Sequence, residues 1–126
     1  MRILIVDDSR IMRNIVKNTL KALHYPDDVF VEAPDGAQAW EVLEAQDINL
    51  LLLDWNMPNL NGLDLVKRLR ANAKYQSLPI VMVTSEAAKY NVIEAVKAGV
   101  SDYLVKPVTE KGLEEKIRRV LDRRPS

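Results

Sequence analysis

Residues 50–54 read Leu50-Leu51-Leu52-Leu53-Asp54: four aliphatic side chains in a row, stopped by a carboxylate. A run that is apolar at consecutive rather than alternate positions fits a strand covered on both faces. It is far too short for a membrane span, which needs about 20 apolar residues. Similar short runs at residues 2–6, 29–33, 80–83 and 103–105, together with 49–53, predict five strands.

Between the runs, apolar residues recur at helical spacing. Met12, Ile15, Val16, Thr19, Leu20 and Leu23 follow Ser9, a residue suited to cap a helix N-terminus. Asp35 or Gly36 opens a second helix carrying Trp40 and Leu43, and Leu65, Val66 and Leu69 mark a third that begins near Gly62. Val92, Ile93 and Val96 mark a fourth, which Gly99 is placed to stop. Leu113, Ile117, Val120 and Leu121 form the stripe of the last, with Thr109 as its cap. Strand–helix repeated five times predicts an α/β fold: a doubly wound parallel sheet, helices on both faces, right-handed crossovers. No repeat or linker divides the chain, so residues 1–126 are expected to form a single domain, and only Arg123-Arg124-Pro125-Ser126 reads as a frayed end.

Composition narrows the chemistry. A chain of 126 residues, 48% hydrophobic, can bury roughly two-thirds of its unfolded surface in one core. Without cysteine there is no disulfide scaffold, zinc–thiolate centre or thiol nucleophile. The single histidine, His24, excludes histidine-rich metal sites and disfavours a serine–histidine triad. Eighteen basic and eighteen acidic residues balance, which gives no global argument for nucleic acid or membrane. That balance hides two unlike halves: residues 1–63 hold five basic and ten acidic side chains, residues 64–126 thirteen and eight. The opening run stops at Asp7-Asp8, too early for a secretory core, so a cytoplasmic protein is expected.

In open α/β sheets ligands bind beyond the carboxyl ends of the strands. Here the first run ends in Asp7-Asp8, the third in Asp54 and the fourth in Thr84-Ser85, and Lys106-Pro107 follows the fifth. If the first and third strands are neighbours, three carboxylates converge and repel one another, which raises pKa values or demands a cation. A hard divalent ion such as Mg²⁺ suits oxygen ligands of this kind. Lys106 and Thr84 would add an ammonium and a hydroxyl for phosphoryl oxygens, with Asp54 as a nucleophile able to form an aspartyl phosphate. Each residue alone has a plainer reading. Asp7-Asp8 could favour a helix dipole, and Asp54 could open the turn Asn56-Met57-Pro58-Asn59. Thr84 could cap a helix, and Lys106 could be a solvated loop residue. Together they leave unexplained why four strand ends carry compatible polar groups.

Asp7-Asp8-Ser9, Asp54-Trp55-Asn56-Met57-Pro58 with Gly62, Thr84-Ser85 and Lys106-Pro107 closely resemble, in this order, the receiver domain of bacterial response regulators. The resemblance spans essentially the whole chain. It implies the flavodoxin-like (CheY-like) sheet, with strand order 2-1-3-4-5 and five helices on two faces. By position it implies that Asp54 accepts a phosphoryl group from a phosphohistidine of a sensor histidine kinase. The side chains of Asp8 and Asp54 and the Asn56 backbone carbonyl would bind Mg²⁺, with Asp7 helping through water. Lys106 would contact the phosphoryl group, Thr84 and Tyr103 would form a switch, and the Lys106–Pro107 peptide would be cis. Asp54–Pro58 and the run Thr84-Ser85-Glu86-Ala87-Ala88-Lys89 are similar to single-domain chemotaxis regulators, in which the positions of Asn56 and Glu86 tune hydrolysis of the acyl phosphate. Val108 departs from that pattern, which usually has phenylalanine there.

The implied partners are the kinase as phosphodonor, a downstream protein such as the flagellar motor switch, and a phosphatase. No nucleic acid or membrane is expected, and a monomer is. Its chemistry would be confined to its own phosphorylation and autodephosphorylation.

Other readings stand beside this one. An aspartyl-nucleophile phosphatase would usually carry a second aspartate two residues after the first, where this chain has Asn56. A flavin or nucleotide binder would need a glycine-rich loop where this chain has Asp7-Asp8-Ser9-Arg10. A receiver from another phosphorelay, or one cut from a longer regulator, would share the signature. No helix-turn-helix lies within these residues, and Met1 with a last helix running close to Ser126 leads us to expect a complete protein. His24 is expected to place a cation at the end of the first helix. Trp40 is expected in packing, Trp55 partly exposed beside Asp54, and Tyr103 either as a buried strand aromatic or as the switch.

Overall fold

The computed structural model describes residues 1–55, 61–84 and 89–122, with the backbone alone for 89–92. Its strands are β1 (Ile3–Val6), β2 (Phe30–Ala33), β3 (Leu50–Asp54), β4 (Ile80–Thr84) and β5 (Asp102–Val105). Its helices are α1 (Arg10–Ala22), α2 (Gly36–Ala45), α3 (Gly62–Arg70), α4 (Lys89–Ala98) and α5 (Glu110–Asp122). All neighbouring strands pair in parallel, in the order β2-β1-β3-β4-β5. The flavodoxin-like order that the resemblance implies is therefore the observed one.

The consecutive apolar runs are explained by two cores. Leu4, Val6, Leu51, Leu53, Ile80 and Met82 face one way, against Leu43 of α2, Leu65, Val66 and Leu69 of α3 and Ala95 of α4. The alternate residues Ile3, Ile5, Leu50, Leu52, Val81 and Val83 face the other way, against Val16 and Leu20 of α1 and Leu113, Ile117 and Val120 of α5. Each fully buried aliphatic side chain contributes about 1.5–3 kcal/mol relative to exposure. Among the described residues no helix is long and apolar enough to cross a membrane.

The caps follow the sequence. Ser9 Oγ accepts from the Met12 amide, Asp35 Oδ1 from Gln38 and Thr109 Oγ1 from Gly112. Gly99 ends α4 at φ 111°, donating to Ala95 O while Val100 N–H reaches the same carbonyl.

Several details differ from the sequence reading. Asp54 and Thr84 belong to their strands because the ladder continues through them, Asp54 opposite Val83 and Thr84 opposite Val105. Arg2 and Asn49 still pair with each other, but outside the strands. Val29 closes a 3₁₀ turn (Asp27–Val29) rather than opening β2, and a second turn spans Ala73–Tyr75. Ile15 of α1 and Ile93 and Val96 of α4, expected in the apolar stripes, are exposed; the side chain of Val92 lies outside the described residues, and among those described α4 packs through Ala95 and Ala98. His24 is exposed at φ 73°. Its amide donates to Lys21 O while Tyr25 N–H donates to Leu20 O, so it fills the left-handed position that closes α1. Its place at the end of α1 is the expected one, in a left-handed backbone conformation that the sequence reading did not foresee.

Candidate functional site

The sheet register assembles the site. Val6 lies opposite Leu53, so the next residues, Asp7 just past β1 and Asp54 at the end of β3, stand side by side. Thr84 lies opposite Val105, and the following Lys106 N–H donates to Thr84 O at 2.8 Å. The Lys106–Pro107 peptide is cis, as the resemblance implies. Lys106 Nζ then stands 3.5 Å from Asp7 Oδ2 and 3.4 Å from Asp54 Oδ1, an ammonium shared between two carboxylates.

Asp7 and Asp54 are buried, whereas Asp8 is exposed. One carboxylate oxygen from each of the three lies within 4.8 Å of the others. The Asp7 carboxylate is held by the Ser9 amide on Oδ1 at 2.9 Å. Gly62 lets α3 begin directly over the end of β3: its N–H donates to Trp55 O, and a Cβ there would lie 2.3 Å from Asp54 O. No residue with a side chain fits that approach.

Burial pushes the Asp54 carboxyl up to about 6, helped by the Asp7 charge and partly offset by Lys106. Near neutral pH Asp54 is therefore mostly ionised beside a second buried carboxylate. Oxygen-only donors carrying this much negative charge suit a hard divalent cation, and the cluster can hold one.

The other expected residues take various places. Thr84 is buried at the end of β4. Trp55 is half-buried against the core, as expected of it. Trp40 packs edge-on against Tyr75, with the Arg68 guanidinium over its ring. Tyr103 is half-buried on β5, with Lys116 Nζ 5.2 Å from its ring centre. Asn56 and Glu86, and the turn at residues 56–59, lie outside the described residues.

Two groups escaped the sequence reading. Arg13 of α1 donates Nη1 to Asp7 O at 2.6 Å and Nε to Glu32 Oε1 at 3.0 Å. Glu32, an acid inside the apolar run of β2, was the available signal. Asp102 is a buried carboxylate that meets Lys116 and Arg119 and accepts the Tyr103 amide. Its position at the foot of β5 was not legible without the register.

Known proteins are similar to this chain along nearly its full length. The family model for the response regulator receiver domain matches residues 3–118. The chemotaxis protein CheY1 of Helicobacter pylori is 51% identical over 122 residues, 96% of this chain and 97% of that protein. The CheY of Pseudomonas aeruginosa is 44% identical over 123 residues, covering 98% of each. Among solved structures, Vibrio cholerae CheY4 superposes with a TM-score of 0.84 at 31% identity, over 94% of this chain and 97% of that one. A putative response regulator from Chloroflexus aurantiacus reaches 0.88 at 27% identity, over 96% and 97%. With the strand order, the converging carboxylates and this similarity in agreement, the chain belongs to the response regulator receiver domain family, as a homologue of the CheY chemotaxis proteins.

Proposed function

We propose that the chain is a phosphorylation switch, acting as one receiver unit over residues 1–126. In this reading Asp54 accepts a phosphoryl group from a sensor histidine kinase with Mg²⁺ bound. The observation that carries it is the juxtaposition of Asp7, Asp8 and Asp54 with Lys106 at the carboxyl edge of the sheet. Asp8 and Asp54, with the Asn56 carbonyl, would hold the ion, and Asp7 would assist through water. Bound there, Mg²⁺ would neutralise charge on the transferring phosphoryl oxygens.

The residues of the chain do the rest. An ionised Asp54 oxygen attacks phosphorus as the bond to the donor imidazole nitrogen breaks, leaving an acyl phosphate on the protein. Lys106, already 3.4 Å from that carboxylate, moves its ammonium to a phosphoryl oxygen. Thr84, at the neighbouring strand end, donates its hydroxyl to another. Tyr103 follows, and the change is read by a partner. Asn56 and Glu86 tune the return by hydrolysis. The similarity to chemotaxis proteins supports a downstream partner such as the flagellar motor switch, with a phosphatase resetting the signal. Such a protein modifies itself and turns over no external substrate.

Incubation with Mg²⁺ and a small acyl-phosphate donor is expected to label the wild type and not Asp54→Asn. Chelation of Mg²⁺ is expected to abolish the label. Equal labelling of the two proteins would remove Asp54 as the acceptor.

A further inference from the structure

We infer that Arg13 is a positioning residue for the metal site, acting through the backbone of Asp7 and held in place by Glu32. The inference rests on the Mg²⁺ reading above and extends it to a residue that touches neither ion nor phosphoryl group.

Besides Lys106 on its Oδ2, three contacts fix Asp7. Its N–H donates to Ala33 O at 3.2 Å, and its Oδ1 accepts the Ser9 amide at 2.9 Å. The third is its own carbonyl, which accepts Arg13 Nη1 at 2.6 Å. The last is a charge-assisted bond, shorter and stronger than an amide–carbonyl pair. It ties the first turn of α1 to the residue where β1 ends, and so sets the direction in which the Asp7 and Asp8 side chains leave the strand. The same guanidinium sends Nε to Glu32 Oε1 at 3.0 Å, and Lys17 Nζ holds the other oxygen, Oε2, at 2.8 Å. Only a planar fork can make the two Arg13 contacts at once.

Charge alone would argue the other way. A cation this close to an Mg²⁺ site opposes the ion unless it is neutralised. Glu32 supplies the neutralising charge, on the strand next to β1. Because Glu32 also faces Lys17, the three side chains together keep one net positive charge, so the field at Asp7 is reduced rather than cancelled. Partners that orient ligands without touching the metal typically alter affinity 10- to 100-fold.

The opposite signs make a decisive test. Mg²⁺ is titrated against the full chain by Trp55 fluorescence, and labelling by a small acyl-phosphate donor is followed at saturating Mg²⁺. For Arg13→Met, Mg²⁺ affinity is expected to fall roughly tenfold, with the saturating labelling rate close to wild type. Arg13→Lys keeps the charge but not the fork, and is expected to match Arg13→Met. Unchanged or tighter binding in Arg13→Met, or recovery in Arg13→Lys, would overturn the inference. Glu32→Gln changes no core residue and stands as the second variant should Arg13→Met fold poorly. It leaves the guanidinium uncompensated, so binding should weaken roughly two- to threefold at low salt and recover as salt screens the charge. Wild-type affinity in Glu32→Gln at low salt would overturn the inference too. A wild type that gives no Mg²⁺ response overturns the metal reading itself. A responsive wild type with indifferent variants overturns only the role of Arg13.

Discussion

At the scale of single residues, the site is a concentration of unfavourable charge that the fold sustains. Asp54 keeps its proton in the folded protein up to about pH 6, chiefly because it is buried and then because Asp7 faces it. The unfolded chain releases that proton near 3.8. The folded state thus binds more protons across this window, and stability falls as pH rises through it and stays lower above it. At about 1.36 kcal/mol per pKa unit the cost is at most about 3 kcal/mol near neutral pH. Glu32 behaves oppositely. Burial raises its pKa, but Lys17 and Arg13 together outweigh that and leave it lowered. Its contribution is present above the unfolded value and is lost as pH falls through the folded one. We therefore expect Asp54→Asn to be more stable than the wild type without metal, by up to about 3 kcal/mol at about pH 7. The gap should shrink toward about pH 4. Urea unfolding of both proteins in chelator across that range checks this, and a gap that does not widen with pH would contradict it.

At the scale of elements, strands and caps were legible because each is decided locally. Consecutive aliphatic residues mark β1, β3 and β4, and Ser9, Asp35 and Thr109 announce their helices. What was not legible depends on side-chain bonds between elements. The turn at Ala73–Tyr75 is held by the Tyr75 hydroxyl donating to Leu43 O and by Arg70 Nη1 donating to Tyr75 O. Asn72, whose Oδ1 accepts the Lys74 amide, was a local signal for the turn, whereas nothing near Tyr75 in sequence encodes its bond to Leu43. The helix ends show both cases. Gly99 was readable as a stop, whereas His24 was read as a charge and proves to occupy a left-handed backbone position. A side chain there costs about 1–2 kcal/mol, of which glycine recovers part, since its unfolded chain is more flexible. His24→Gly is therefore expected to stabilise by about 0.5–1 kcal/mol. Gly99→Ala is expected to cost more than about 1 kcal/mol, because its Cβ would also lie 2.8 Å from Arg70 Cγ. Thermal melts of the two variants should move in opposite directions, and shifts of the same sign would contradict the reading.

At the scale of the whole molecule, the sheet order turns separated residues into one site. Asp7, Asp8, Asp54 and Lys106 could be picked out because strand ends are where open α/β sheets bind ligands. Arg13 could not, since its role depends on α1 lying over the end of β1 beside β2. All three carboxylates come from the half of the chain that carries ten acidic and five basic residues. A divalent ion should therefore stabilise the fold as a whole, because the unfolded chain separates the ligands. An ion at a hundred times its dissociation constant adds about 2.7 kcal/mol, on the order of a 10 °C rise in Tm for a chain of this size. Asp8 is exposed, so Asp8→Ala should cost little without metal. If that variant binds the ion about tenfold more weakly, the same concentration adds only about 1.4 kcal/mol, and its rise in Tm should be about half. Matched NaCl should reproduce neither shift, since it screens charge without filling the site. Equal Mg²⁺ shifts in the two proteins would place the ion away from Asp8.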